Sequence, residues 1–163
     1  MKSKLIYLSQ YSGTAASVYS VIEQDGEGEA TVRFHEFVKA NEGKYLRELL
    51  ELSTRLRAMT TLTGLDEDNF KQYEGKPGDK VCALYDIPDA DLRLYCILLT
   101  DKILILGSGG PKTTRTWQED PVLKTEVEFM MEVSEVVHTK LDNGTIVYTE
   151  DRLKLTGDIW IRK

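Results

Sequence analysis

Residues 92–115 read LRLYCILLTDKILILGSGGPKTTR, and the reading of this stretch decides the fold. Leu92–Leu99 and Ile103–Leu106 are apolar, partly β-branched runs separated by Thr100, Asp101 and Lys102, the pattern of two adjacent strands joined by a tight polar turn. Polar/apolar alternation is nearly lost in Cys96–Leu99 and Ile103–Leu106, which predicts that both faces of this hairpin are covered by other parts of the chain. Gly107, Ser108, Gly109, Gly110 and Pro111 then read as a flexible loop that delivers the donors Lys112, Thr113, Thr114 and Arg115 at a strand end.

Outward from the hairpin, Val81–Asp86 is a further strand, so short connections predict an antiparallel meander of three. Before it, Phe70–Lys80 (FKQYEGKPGDK) is a loop marked by Gly75, Pro77 and Gly78. From Lys44 to Met59 the residues Leu46, Leu49, Leu50, Leu52, Leu56 and Met59 form one apolar face, a core helix with Gly64 as its stop. Thr31–Val38 mixes strand formers with Phe34, Phe37 and Val38 at i, i+3 and i+4, and is read as a short helix. Ser17–Gln24 is a strand followed by the acidic turn Asp25–Glu29, with Leu5–Leu8 as its candidate partner. On the other side, Asp120 and Pro121 form an N-cap and first helical residue, and Leu123, Val127, Phe129, Met130 and Val133 supply the apolar stripe. Val136–Asp142, Asn143-Gly144 and Thr145–Thr149 read as a hairpin, because Asn-Gly supplies the positive φ angles of a type I′ turn. The tail from Arg152 onward is the most basic stretch of the chain.

A length of 163 residues fits one domain. Its net charge of −6 opposes non-specific binding to a phosphate backbone unless positive charge is clustered. The apolar run Leu5–Leu8 is too short for a signal-peptide core or a membrane span, which predicts a cytoplasmic protein with no membrane partner. Cys82 and Cys96 lie in strands without CxxC spacing and read as buried free thiols, while His35 and His138 are far apart in sequence and read as structural or exposed. The acidic row Glu126, Glu128, Glu132 and Glu135 is a solvated helix face. The glycine run fails as a phosphate loop, because Lys112 follows Pro111, and as a dinucleotide fingerprint, because Lys112 stands where the third Gly belongs. Gly-x-Ser-x-Gly, HExxH and EF-hand patterns are absent from the sequence.

In the order of its elements and in FHEFVKAN, YLRELLELSTRLRAM, FKQYEG, VCALYD and the stretch quoted above, the chain resembles the RelE/ParE-type toxin superfamily, in particular its phage-derived, HigB-like branch. The resemblance spans residues 17–135 and leaves 136–163 as a C-terminal hairpin and basic tail on the same single domain. It implies an α+β fold, a small antiparallel-containing sheet with two N-terminal helices on one face. It also implies a toxin that cleaves messenger RNA on the ribosome without metal or cofactor until a cognate antitoxin, a helix-turn-helix protein, binds it. By position it places phosphate-binding and catalytic cations at Arg93, Lys112 and Arg115, with Tyr95 as a further site residue. Metal-free RNA cleavage needs cations where charge grows on phosphorus, and Lys112 and Arg115 suit that role as a point charge and a planar fork. The alternative of a different class is a non-catalytic protein-interaction module of the same fold, which the acidic charge and the covered strands favour.

Overall fold

The computed structural model describes residues 1–72 and 74–163. The chain is α+β: strands β1 (Lys2–Tyr7), β2 (Ser17–Gln24) and β3 (Thr31–Val32), helices α1 (Arg33–Asn41) and α2 (Leu46–Ala58), strands β4 (Val81–Tyr85), β5 (Leu92–Thr100) and β6 (Ile103–Pro111), helix α3 (Pro121–Asp142), and strands β7 (Ile146–Tyr148), β8 (Leu155–Gly157) and β9 (Trp160–Arg162). One mixed sheet of seven strands, in the order β4-β5-β6-β2-β1-β9 with β3 attached to β2, forms the middle layer, and β7 and β8 make a separate two-stranded sheet. The expected meander is present as the antiparallel pairs β4-β5 and β5-β6. β2 closes against β6 in parallel, with Val18 opposite Leu104. β1 pairs with β2, as expected from Leu5–Leu8, and the sheet is larger than the sequence predicts because β9 adds beyond β1 and β3 attaches to β2.

Strand periodicity explains the two cores. Leu92, Leu94, Cys96 and Leu98 of β5 face a core shared with Phe34 and Phe37 of α1 and with Leu49, Leu52 and Leu56 of α2. Tyr95, Ile97 and Leu99 point the other way, against Leu123, Val127, Met130, Val133 and Val137 of α3. Both faces of the central hairpin are therefore covered, as its missing alternation requires, and each fully buried leucine is worth about 1.5–3 kcal/mol. The helix predicted at Lys44–Met59 spans Leu46–Ala58, continues as one wider turn over Met59–Thr63, and stops at Gly64 with φ +79°. The helix expected at Thr31–Val38 begins at Arg33 and runs to Asn41, leaving Thr31 and Val32 to pair with β2. Arg55 of α2 is held by Glu51 and donates to the carbonyl of Tyr85, tying the helix to β4.

Two expectations are corrected. Gly107–Pro111 is not a loop: it is the second half of β6, with Gly109 opposite Leu94 and Gly110 opposite Arg93. The register slips by one residue between Leu94 and Cys96, a bulge on β6 at the glycines. The glycines serve close packing, since a Cβ on Gly107 would lie 2.5 Å from Met130 Sδ and one on Gly109 would lie 1.9 Å from the Arg93 carbonyl oxygen. Nor does Asn143-Gly144 turn a hairpin, because α3 continues through Val136–Asp142 and the pair terminates it. Gly144 has φ +80° and its N–H returns to the Leu141 carbonyl, a helix C-cap that uses the same positive φ a hairpin would have used. The hairpin that does form joins Ile146–Tyr148 to Leu155–Gly157, with Ile146 and Leu155 buried beneath α3.

Candidate functional site

Arg93 is the second residue of β5 and projects toward α3, opposite Tyr85 on β4 and Gly110 on β6. The chain leaves the sheet after Pro111, where the Lys112 N–H donates to the Asp91 carbonyl at 2.8 Å, and then crosses the end of β5 before entering α3. Asp120 fixes the far end of this crossing. Its Oδ1 accepts from the N–H groups of Val122 (2.9 Å) and Leu123 (3.2 Å), and its Oδ2 accepts from the Thr113 hydroxyl at 2.9 Å. Burial pushes the Asp120 carboxyl up, but those three hydrogen bonds and the Arg93 charge outweigh it and hold the group below the ordinary aspartate range.

The crossing segment seals Arg93, which is 1% exposed. One guanidinium nitrogen reaches the Tyr95 hydroxyl at 3.5 Å and another the Arg115 carbonyl at 3.5 Å, both long contacts. Nε has no partner among the described residues, and the guanidinium carbon stands 5.6 Å from the centroid of the Tyr85 ring. Among the described residues no carboxylate forms a salt bridge with Arg93. Glu74, itself buried, lies behind Tyr85, accepting its hydroxyl at 3.3 Å and pairing with Lys71 at 3.7 Å. Burial raises the Tyr85 hydroxyl to about 12, reinforced by Glu74 and opposed by Arg93. Tyr95 is also raised to about 12, again by burial first, with the hydrogen bond and charge of Arg93 pulling against it. Both phenols therefore stay protonated at neutral pH, as donors rather than bases. An arginine does not escape burial by losing its proton, so the site holds a buried cation that Asp120 and Glu74 approach but that no carboxylate among the described residues pairs with directly.

The four residues singled out from sequence meet at this one end of the sheet. Arg93 and Tyr95 are buried side by side, the Arg115 backbone touches Arg93, and the Lys112 and Arg115 side chains are exposed above. Tyr95 is 0% exposed, so its hydroxyl positions Arg93. Tyr85, Glu74 and Asp120 belong to the same cluster and were not assigned to it from sequence. The register of β4 on β5 places Tyr85 opposite Arg93, a relation visible only once strand pairing is known.

Two other groupings are chemically quiet. The Ser134 hydroxyl donates to the Asp79 carbonyl, and His138 Nδ1 lies 2.8 Å from the Ser134 carbonyl. That geometry puts the imidazole proton on Nδ1, so this nitrogen cannot take a proton from the serine. Cys82 and Cys96 are directly opposed on β4 and β5 with Sγ atoms 3.4 Å apart, and burial pushes the Cys96 thiol up, which suppresses the reactive thiolate. Among the described residues no group of three or more His, Cys, Asp or Glu side chains is arranged to hold a metal ion, and no helix is long and apolar enough to cross a membrane. No family model, curated protein or solved structure matches the chain.

Proposed function

We propose that this protein is the toxin component of a toxin–antitoxin pair, a metal-independent endoribonuclease acting on messenger RNA in the cytoplasm. The observation that carries the reading is Arg93, a buried guanidinium without a salt-bridged carboxylate among the described residues, set beneath the exposed cations Lys112 and Arg115. A cationic cluster with that deficit is matched by an anion from outside, and the phosphodiester is the anion that the chain's resemblance implies. The chain order also supports it: after β1, the strand β2 is followed by two helices on one sheet face and then by a three-strand meander whose last strand, β6, lies parallel to β2. In this reading the 2′-oxygen bonds to phosphorus and passes its proton to solvent, the bond from phosphorus to the 5′-oxygen breaks and that oxygen takes a proton from solvent, while Arg115 and Lys112 hold the non-bridging oxygens as charge grows on them. Arg93 adds positive potential from below, and Asp120 and Thr113 anchor the segment that carries the two exposed cations.

A second reading, a non-catalytic interaction module, draws on a different observation. A cavity of about 140 Å³ opens between α1 and α2, floored by Leu84 and Leu94. Leu46 and Leu50 at its mouth are 56% and 57% exposed, an apolar surface suited to a protein partner. Expression of wild type, Arg115→Ala and Lys112→Ala separates the two. Surface substitutions of this kind change stability by no more than about 0.5 kcal/mol. The endoribonuclease reading expects growth arrest and RNA cleavage by wild type and a rate loss on the order of a hundredfold in each variant. Wild type that neither arrests growth nor cuts RNA, on or off the ribosome, leaves the interaction module in its place.

A further inference from the structure

We propose that a second surface, the groove at the β1–β9 edge of the sheet, binds single-stranded RNA through Lys2, Lys4 and Trp160. The choice of RNA as partner rests on the endoribonuclease reading; the surface itself is defined by its own residues. Strand alternation sends Ser3 and Leu5 of β1 into the layer under α3 and leaves Lys2 and Lys4 on the opposite face. Antiparallel pairing sets Trp160 of β9 beside Lys4, with the Lys4 ammonium 5.1 Å from the centroid of the indole. Together with Ile22 and Gln24 of β2 they line a groove of about 200 Å³.

The charges in this groove are unbalanced in one direction. Neither Lys2 nor Lys4 forms a salt bridge among the described residues, whereas Glu23, the one carboxylate lining the groove, is committed to Arg33 at 2.6 Å. Arg33 is in turn drawn to Glu126 at 2.7 Å and lies over the Phe129 ring, 3.5 Å from its centroid, so the Glu23 pair is locked from the α3 side. Two available ammonium groups beside a half-buried indole match a ligand that carries phosphates and unpaired bases. A duplex offers the phosphates but keeps its bases stacked inside, whereas single-stranded RNA presents a phosphate and an unpaired base at every nucleotide. The groove also lies at the same end of the sheet as the cationic cluster: β2 and β6 run parallel, Lys2 pairs with Gln24 at the end of β2, and Lys112 follows the end of β6. The two surfaces lie on opposite faces of the sheet, Arg93 facing α3 and Lys2 and Lys4 facing away from it, so the groove is a contact separate from the cationic cluster. With a chain charge of −6 the attraction is local, and its salt dependence reports the phosphates engaged here.

The experiment is fluorescence anisotropy with a fluorescein-labelled 12-mer oligouridylate. The chains are full length and carry Arg115→Ala to keep the RNA intact, with Lys2→Ala/Lys4→Ala or Trp160→Ala added. Loss of both lysines is expected to flatten the slope of log affinity against log salt by about 1.4, from roughly 0.7 per single-strand phosphate, and to weaken binding at least about tenfold. Trp160→Ala is expected to weaken binding by roughly 5-fold or more, the scale of one stacked base. In a Trp117→Phe background, which leaves Trp160 as the sole tryptophan, RNA should quench the indole fluorescence, a readout that requires no truncation at the sheet edge. Unchanged affinity and salt slope in the lysine variant, no binding by the parent chain, or equal competition by polyglutamate would overturn the proposal. Binding that depends on these residues in a protein whose wild type does not cleave RNA removes the endoribonuclease reading and keeps this surface. Cleavage by wild type, with binding indifferent to them, does the reverse.

Discussion

Replacing Gly109 with alanine tests whether the glycine run is a strand. A Cβ at this position lies 1.9 Å from the Arg93 carbonyl oxygen and 2.8 Å from its carbonyl carbon, both backbone atoms that no rotamer change can move. β5 and β6 must separate where Gly109 faces Leu94. Losing one or two backbone hydrogen bonds costs about 1 kcal/mol each, and overpacking adds about 1–3 kcal/mol, so roughly 2–5 kcal/mol is expected. For a chain of this length that is a fall in Tm of roughly 5–20 °C. Gly110→Ala is the internal control, because its Cβ would meet nothing closer than a Leu123 methyl at 3.8 Å. It should cost no more than about 0.5 kcal/mol. Urea unfolding followed by circular dichroism gives both numbers. Equal, small effects would restore the flexible-loop reading and refute the strand account of residues 107–111.

Three further outcomes are expected. Asn is a good N-cap, so Asp120→Asn isolates the carboxylate charge. Because the folded pKa of Asp120 is depressed, its contribution is fully present above the unfolded value of about 3.9 and is lost as pH falls through the folded value. The Tm gap between wild type and Asp120→Asn should therefore be constant near neutrality and close at acid pH, and a gap that persists at pH 2 contradicts this. Tyr19→Phe removes the hydroxyl that accepts the buried Leu155 N–H at 3.0 Å, with an expected cost of about 1–3 kcal/mol by denaturant titration; no cost would show that the β8 tail is not anchored to β2. Gly144→Ala forces a side chain into φ +80° at the end of α3 and should cost about 1 kcal/mol, with amide exchange that still reports a continuous helix through Asp142.

The central meander, both covered faces and the α3 N-cap were legible because each rests on a local signal: an apolar run, a lost alternation, an Asp-Pro pair. The two errors share a cause. Glycine and Asn-Gly report that backbone freedom or space is needed without saying for what. At 107–111 the need is close approach of Met130 and of β5, and at 143–144 it is a helix C-cap. The edge strand β9 was missed because Trp160–Arg162 is only three residues long and is fixed by pairing with Ser3 and Lys4 of β1, at the other end of the chain. At the site, Arg93, Lys112 and Arg115 were named from position, but the burial of Arg93 and its lack of a carboxylate depend on tertiary packing with Tyr85, Tyr95 and the segment before α3.

The most direct measurement compares Arg93→Met with wild type in two assays, unfolding free energy and RNA cleavage rate. Methionine keeps an unbranched apolar stem and removes the charge. If Arg93 is an unmatched cation kept for an external phosphate, the variant should be as stable as wild type or more so, since replacing a poorly compensated buried charge by an apolar side chain is often neutral or stabilising by about 1–4 kcal/mol. Cleavage should nevertheless fall on the order of a hundredfold. A loss of about 3–5 kcal/mol in stability, the cost of breaking a matched buried pair, together with wild-type cleavage per folded molecule, would contradict the account and make Arg93 a structural residue.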